Sequence, residues 1–166
     1  HSLDTDRTAW EAALRQTRVI QASGIDEVCD VFLALRHLGW RPGRRLLLSG
    51  GGGGLGADAA DLAGPAGLDI PALNEGTARK LTGILSRAGA VVSNPLDIGT
   101  PVLPPPMFEA TMREAAADPN TDVLIFELAM NFPMRTAGEE GLYQVADVLI
   151  RVREVSGKPV AMVLYS

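Results

Sequence analysis

Five consecutive glycines, Gly50 to Gly54, follow the apolar run Leu46-Leu47-Leu48-Ser49 and precede Leu55-Gly56-Ala57-Asp58-Ala59-Ala60-Asp61-Leu62. Glycine lets a backbone bend sharply and lets a ligand lie against its N–H groups. The three leucines after Arg44 and Arg45 form the short apolar run of a parallel strand covered on both faces. The Ala/Leu/Asp mixture after the glycines favours helix. A helix that begins there points its free N–H groups and the positive end of its dipole at the turn. A strand, a glycine turn and a helix N-terminus in that order bind anions, phosphate above all. The candidate phosphate-binding residues are Gly50, Gly51, Gly52, Gly53, Gly54 and Leu55. The competing reading is a flexible linker, but linkers rarely join a leucine strand to a helix without Ser/Pro padding.

Other chemistry is sparse. No Lys-Ser/Thr follows the glycines, so there is no Walker A motif. Gly51, Gly53 and Gly56 satisfy the dinucleotide pattern G-x-G-x-x-G, although five glycines in a row satisfy many patterns. A dinucleotide-binding Rossmann domain also needs a second strand ending in an acid. Leu68-Asp69-Ile70-Pro71 is short and proline-broken at that place. Two histidines and one cysteine, far apart, give no metal-ligand spacing. Ser49 lies in Leu-Ser-Gly-Gly, not in the G-x-S-x-G elbow of hydrolases. Asn94 and Asp97 either cap the turn after a strand or face a ligand at the sheet edge.

Strands and helices alternate along the chain. Thr8 to Gln16 reads as a short helix with Trp10, Ala13 and Leu14 on one side, and Val19-Ile20 as an edge strand. Ser23 precedes Asp26 by three, a weak capping box. Ile25, Val28, Cys29, Phe32 and Leu35 then recur at helical spacing, which places Cys29 in the core. After the glycine turn, helices are expected up to Gly64-Pro65, over 74–86, from the prolines at 104–106 to Asp118, and over 139–155. Val91–Ser93, Val123–Phe126 and Val160–Leu164 are expected as strands parallel to a central Leu46–Ser49. The functional edge of such a sheet lies at the carboxyl ends of its strands. The glycine turn, 94–99 and 128–136 should converge there, which brings Asn131 into play.

The 166 residues suffice for one domain with a core. A net charge of −5 speaks against a nucleic-acid partner. No apolar run reaches the length of a membrane span, and no signal peptide is visible. A single cysteine forms no internal disulfide, which suits the cytoplasm. The chain stops at Ser166 directly after a strand, which reads as a fragment of a longer protein.

The order glycine turn and helix, then Asn94-Pro95-Leu96-Asp97-Ile98-Gly99, then a helix ending Asp118-Pro119-Asn120-Thr121-Asp122 and an apolar strand, resembles the NDP-forming (ADP-forming) acyl-CoA synthetases. It is similar to their ligase-type flavodoxin-like domain, related to the carboxy-terminal domain of the succinyl-CoA synthetase β subunit. The resemblance covers nearly the whole chain. It implies an α/β, flavodoxin-like three-layer sandwich with a mostly parallel sheet over 23–166, after a leading segment, 1–22, that follows a phosphohistidine loop. It implies formation of acyl-CoA from a carboxylic acid, CoA and ATP, with ADP and phosphate released and a histidine carrying the phosphoryl group. Gly50 to Gly54 would be one phosphate cradle, and Asn94, Pro95, Asp97 and Asn131 a substrate-site wall. No cofactor is expected on this domain alone; ATP/ADP, Mg and CoA belong to the whole enzyme. Its CoA-binding and ATP-grasp domains or subunits are the expected partners, with a homo-oligomer also possible. His1 stands where the family has a glycine, so it is read either as a tag remnant or as a displaced phosphohistidine. A non-catalytic interaction or regulatory relative of the same fold is the alternative function.

Overall fold

The computed structural model describes residues 7–17, 19–39, 43–51, 53–85, 90–99, 103–131, 134 and 137–165. His1, Gly52, Pro133 and Arg135 lie outside them. The chain divides into two compact units, His1–Arg36 and His37–Ser166.

The first unit carries α1 (Arg7–Thr17) and most of α2 (Ile25–Leu38). Val19 and Ile20 form no strand. Both are exposed, and the Val19 N–H donates to the Leu14 carbonyl, continuing the turn that ends α1. Ser23 does bind back into α2, but its partner is Glu27 rather than Asp26. Its N–H and its hydroxyl each donate to Glu27 Oε2 at 2.6 Å. Cys29 is exposed, not a core residue, and no residue of α2 is buried. Helical spacing reports an apolar stripe, not a cover for it. Ile25, Phe32 and Leu33 of that helix are all more than half exposed.

The second unit is built on a sheet of β1 (Leu46–Gly50), β2 (Leu96–Asp97), β3 (Val123–Ala129) and β4 (Val160–Tyr165). The strand order is β2-β1-β3-β4 and every pairing is parallel. Leu46 to Gly50 run in register with Val123 to Glu127, so β1 is an inner strand. Helices separate the strands: α3 (Gly53–Ala63), α4 (Glu75–Leu85), α5 (Pro105–Ala116) and α6 (Gly138–Ser156).

Side chains alternate across the pleat. Leu47, Leu124, Phe126 and Leu128 pack on the side of Leu81 and Leu85 (α4), Phe108 and Met112 (α5) and Val148 and Val152 (α6). Phe126 meets Phe108 edge-to-face at 5.1 Å. Leu46, Leu48 and Val123 pack with Ala63, Ala59 and Ala60 of α3 on the other side. The result is a three-layer, flavodoxin-like α/β sandwich.

Local chemistry explains the boundaries. Proline opens α5, where its missing N–H costs nothing. Gly157 closes α6 at φ +68°, a left-handed position that suits glycine. At the amino ends of the strands, the Asp122 carboxylate accepts the Arg44 and Arg45 N–H groups and pairs with the Arg45 guanidinium at 2.5 Å. Asp118, fully buried, accepts the N–H groups of Asn74 and Asn120, both at 2.8 Å.

One expected strand is displaced. Val91–Ser93 does not run beside β1; Leu96–Asp97 does. Val91 makes an isolated antiparallel bridge: its N–H donates to the Asp97 carbonyl at 2.9 Å, and its carbonyl accepts the Asp97 N–H at 3.2 Å. The chain reverses over Ser93–Pro95, so the residues that reach β1 come after the turn, not before it.

Candidate functional site

The carboxyl end of β1 is Gly50. It pairs in register with Asp97 on one side and Glu127 on the other. Residues in register on a parallel sheet share a face, and here it is the face covered by α3. Two acidic side chains therefore flank a position that has none. A Cβ on Gly50 would stand 3.1 Å from the Glu127 carbonyl oxygen and 3.3 Å from its Cβ. Gly56, buried in α3, faces Pro95. Between them lies a cleft of about 220 Å³, lined among others by Gly50, Gly56, Ala57, Pro95, Asp97 and Glu127.

The glycine run is shared out more finely than a five-residue turn. Gly50 still belongs to β1, Gly51 bends, and Gly53 and Gly54 already lie in α3. The helix thus begins two residues before Leu55. An N-terminus leaves its first N–H groups free, and these belong to the glycine segment.

The other wall is fixed by its own bonds. Asp97 Oδ1 accepts the Gly99 N–H at 2.8 Å, and the Ser93 hydroxyl donates to the Pro95 carbonyl at 2.9 Å. Ser49 is buried, its hydroxyl donating to the Leu96 carbonyl at 3.2 Å. Asn94 turns its amide to β1: Nδ2 donates to the carbonyls of Leu46 and Pro71, and Oδ1 accepts the Leu48 N–H. Asn131, just past β3, is exposed and does not line the cleft. Of the expected site residues, the structure brings Gly50, Pro95 and Asp97 to one cleft and leaves Asn131 apart.

Glu127 was not singled out by the sequence reading. Burial raises its pKa, and the negative charge of Asp58 raises it further. Tyr165 is shifted up as well, first by burial and then by Glu127. The available signal was an acid inside the otherwise apolar run Val123-Leu124-Ile125-Phe126-Glu127-Leu128-Ala129. No lysine or arginine appears among the described residues lining the cleft. An anion there would be held by backbone N–H groups and the helix dipole, with the carboxyls setting which protonation state is tolerated. No group of three or more His, Cys, Asp or Glu side chains among the described residues is placed to hold a metal ion. Among the same residues, no helix is long and apolar enough to cross a membrane.

No family model matches the chain, and no curated protein matches it. Solved structures do. PH0766 from Pyrococcus horikoshii OT3 shares 26% identity and superposes with a TM-score of 0.76, covering 98% of this chain and 36% of that one. The dinucleotide forming acetyl-coenzyme A synthetase 1 of Ca. Korarchaeum cryptofilum, in complex with phosphate and ADP, gives 24% identity and a TM-score of 0.71, covering 95% and 32%. Its apo form gives 24% and 0.73, covering 98% and 34%. The chain spans about a third of the length of the solved chains it matches, and it shares the fold of that third.

Proposed function

We propose that the chain is the flavodoxin-like domain of an NDP-forming acyl-CoA synthetase, the enzyme class that joins a carboxylic acid to CoA at the expense of ATP. In this reading Gly50 to Leu55 cradle a phosphoryl group on its way between ATP, a carrier histidine and the acyl group. The CoA-binding and ATP-grasp domains or subunits supply the remainder of the chemistry, with ATP, Mg and CoA bound there. The observation that carries the reading is the meeting of β1 and α3. A strand ends in glycine at the carboxyl edge of a parallel sheet, a helix starts three residues later, and Gly50 with Gly56 and Ala57 of that helix lines an open cleft. The free N–H groups and positive dipole end of a helix N-terminus suit phosphate. The motif resemblance and the fold likeness to an acetyl-coenzyme A synthetase support the same reading.

A second reading is a non-catalytic interaction module of the same fold. The acidic lining favours it: Asp97 and Glu127 stand in the cleft with no Lys or Arg among the described residues that line it. The two are separated by following label from [γ-³²P]ATP onto histidine in the longest protein that carries this chain. Labelling that is lost in Gly52→Val, with the fold retained by circular dichroism, supports the enzyme. Labelling undisturbed by Gly52→Val, or none in the unsubstituted protein, removes the glycine segment from phosphoryl transfer.

A further inference from the structure

The edge of β1 that faces away from β3 is served by different groups along its length. At its start Asp69 takes the place of a neighbour strand. Its N–H donates to the Arg44 carbonyl at 2.8 Å, and its carbonyl accepts the Leu46 N–H at 2.7 Å. At its end Leu96 to Ile98 take that place, with the Ile98 N–H donating to the Gly50 carbonyl at 3.0 Å. Between these two stretches the edge is met by one side chain. Asn94 Nδ2 donates to the Leu46 carbonyl at 2.7 Å, and Asn94 Oδ1 accepts the Leu48 N–H at 3.1 Å. A primary amide carries a donor and an acceptor as a peptide group does. One side chain stands in for the peptide unit that a continuous strand would have placed there. The second hydrogen of Nδ2 goes to the Pro71 carbonyl at 2.9 Å, which ties in the segment after Asp69. Both amide hydrogens are thereby committed to backbone.

We infer that Asn94 is a positioning residue for the cleft rather than a group that touches its ligand. By bonding to β1 at Leu46 and Leu48 it fixes the level at which Pro95 to Ile98 run alongside that strand. That level decides whether Asp97 stands opposite Gly50. It also decides whether Pro95 clears Gly56, where a Cβ would come within 2.9 Å of the proline ring. Asn94 therefore sets the width of the cleft without lining it. The effect on ligand binding rests on the phosphate reading of the cleft; the geometric part does not.

The test compares Asn94→Ala and Asn94→Asp with Val152→Ala, a core truncation from the cluster on the opposite face of the sheet. Asn94→Asp keeps the acceptor for Leu48 and removes both donors. Two readouts are taken on the 166-residue chain: amide exchange at Ile98 and Gly50, and shifts of the glycine amides on titration with inorganic phosphate. Stranding buried groups by one truncation is expected to speed Ile98 exchange and weaken phosphate binding by about tenfold relative to Val152→Ala. If both Asn94 variants lose thermal stability but match Val152→Ala in exchange and in phosphate binding, Asn94 is merely structural and the inference fails. If the unsubstituted chain binds no phosphate, the cradle reading fails, and Ile98 exchange alone decides the positioning role.

Discussion

Gly56 packs so closely on Pro95 that a Cβ built on the glycine would lie 2.9 Å from the Cβ of the proline. The helix that follows the glycine segment and the turn that carries the opposite wall therefore touch where only hydrogen fits. Gly56→Val is expected to lose about 1–3 kcal/mol from overpacking alone. Gly56→Ala should lose less, since alanine regains about 1 kcal/mol of helix propensity. Urea unfolding of the two variants checks the order, and a valine variant as stable as the unsubstituted chain would refute the contact.

Asp122 links stability to acid. Its carboxyl is held well below the usual carboxylate range, first by the Arg45 guanidinium and then by backbone N–H groups. The folded pKa is depressed, so its stabilisation is complete above about pH 4, where the unfolded carboxyl is ionised, and fades as pH falls below that. Asp122→Asn should lower Tm at pH 7 by about 2–4 °C, a modest loss because the pair is partly solvated. The difference from the unsubstituted chain should shrink toward pH 2. A difference that is constant from pH 7 to pH 2 would exclude a charge effect.

Glu127 works with the opposite sign. Burial and Asp58 raise its folded pKa, so its charged form opposes folding. Its neutral form is preferred at acidic pH, and that preference is lost as pH rises through the folded value. Glu127→Gln should therefore be more stable than the unsubstituted chain at neutral pH, with the gain vanishing in acid. It should also bind phosphate more tightly, because one negative charge leaves the cleft wall. Denaturation and phosphate titration at pH 4 and pH 8 check both statements.

The purified 166-residue chain should form no acyl-CoA from ATP, CoA and short or branched acids, since the proposal assigns nucleotide and CoA binding to other domains. Thioester detection above an enzyme-free blank would contradict that division of labour.

The sheet was legible because its strands announce themselves. Leu46–Ser49, Val123–Phe126 and Val160–Leu164 are apolar runs, and the structure pairs them in parallel. The fourth position was not. Val91-Val92 has the residue types of a strand, but β-propensity is a weak preference that register overrides, and a turn delivers Leu96 to β1 instead. The glycine segment could be placed, yet not how far α3 reaches into it. Gly53 lies in the helix although glycine runs against helix propensity. Asn94 and Glu127 show the same limit. Whether an amide faces a ligand or replaces a peptide group, and whether an acid in an apolar strand sits in a cleft, are set by neighbours distant in sequence.

The central claim is that the end of β1 and the start of α3 hold an anion through backbone N–H groups. Titration of the isotopically labelled chain with inorganic phosphate, read at the amides of Gly50 to Leu55, tests it most directly. Saturable shifts confined to that segment, strengthened as pH falls and abolished by Gly52→Val in a folded chain, are the expected result. Shifts that do not saturate, that centre elsewhere, or that survive Gly52→Val would contradict it.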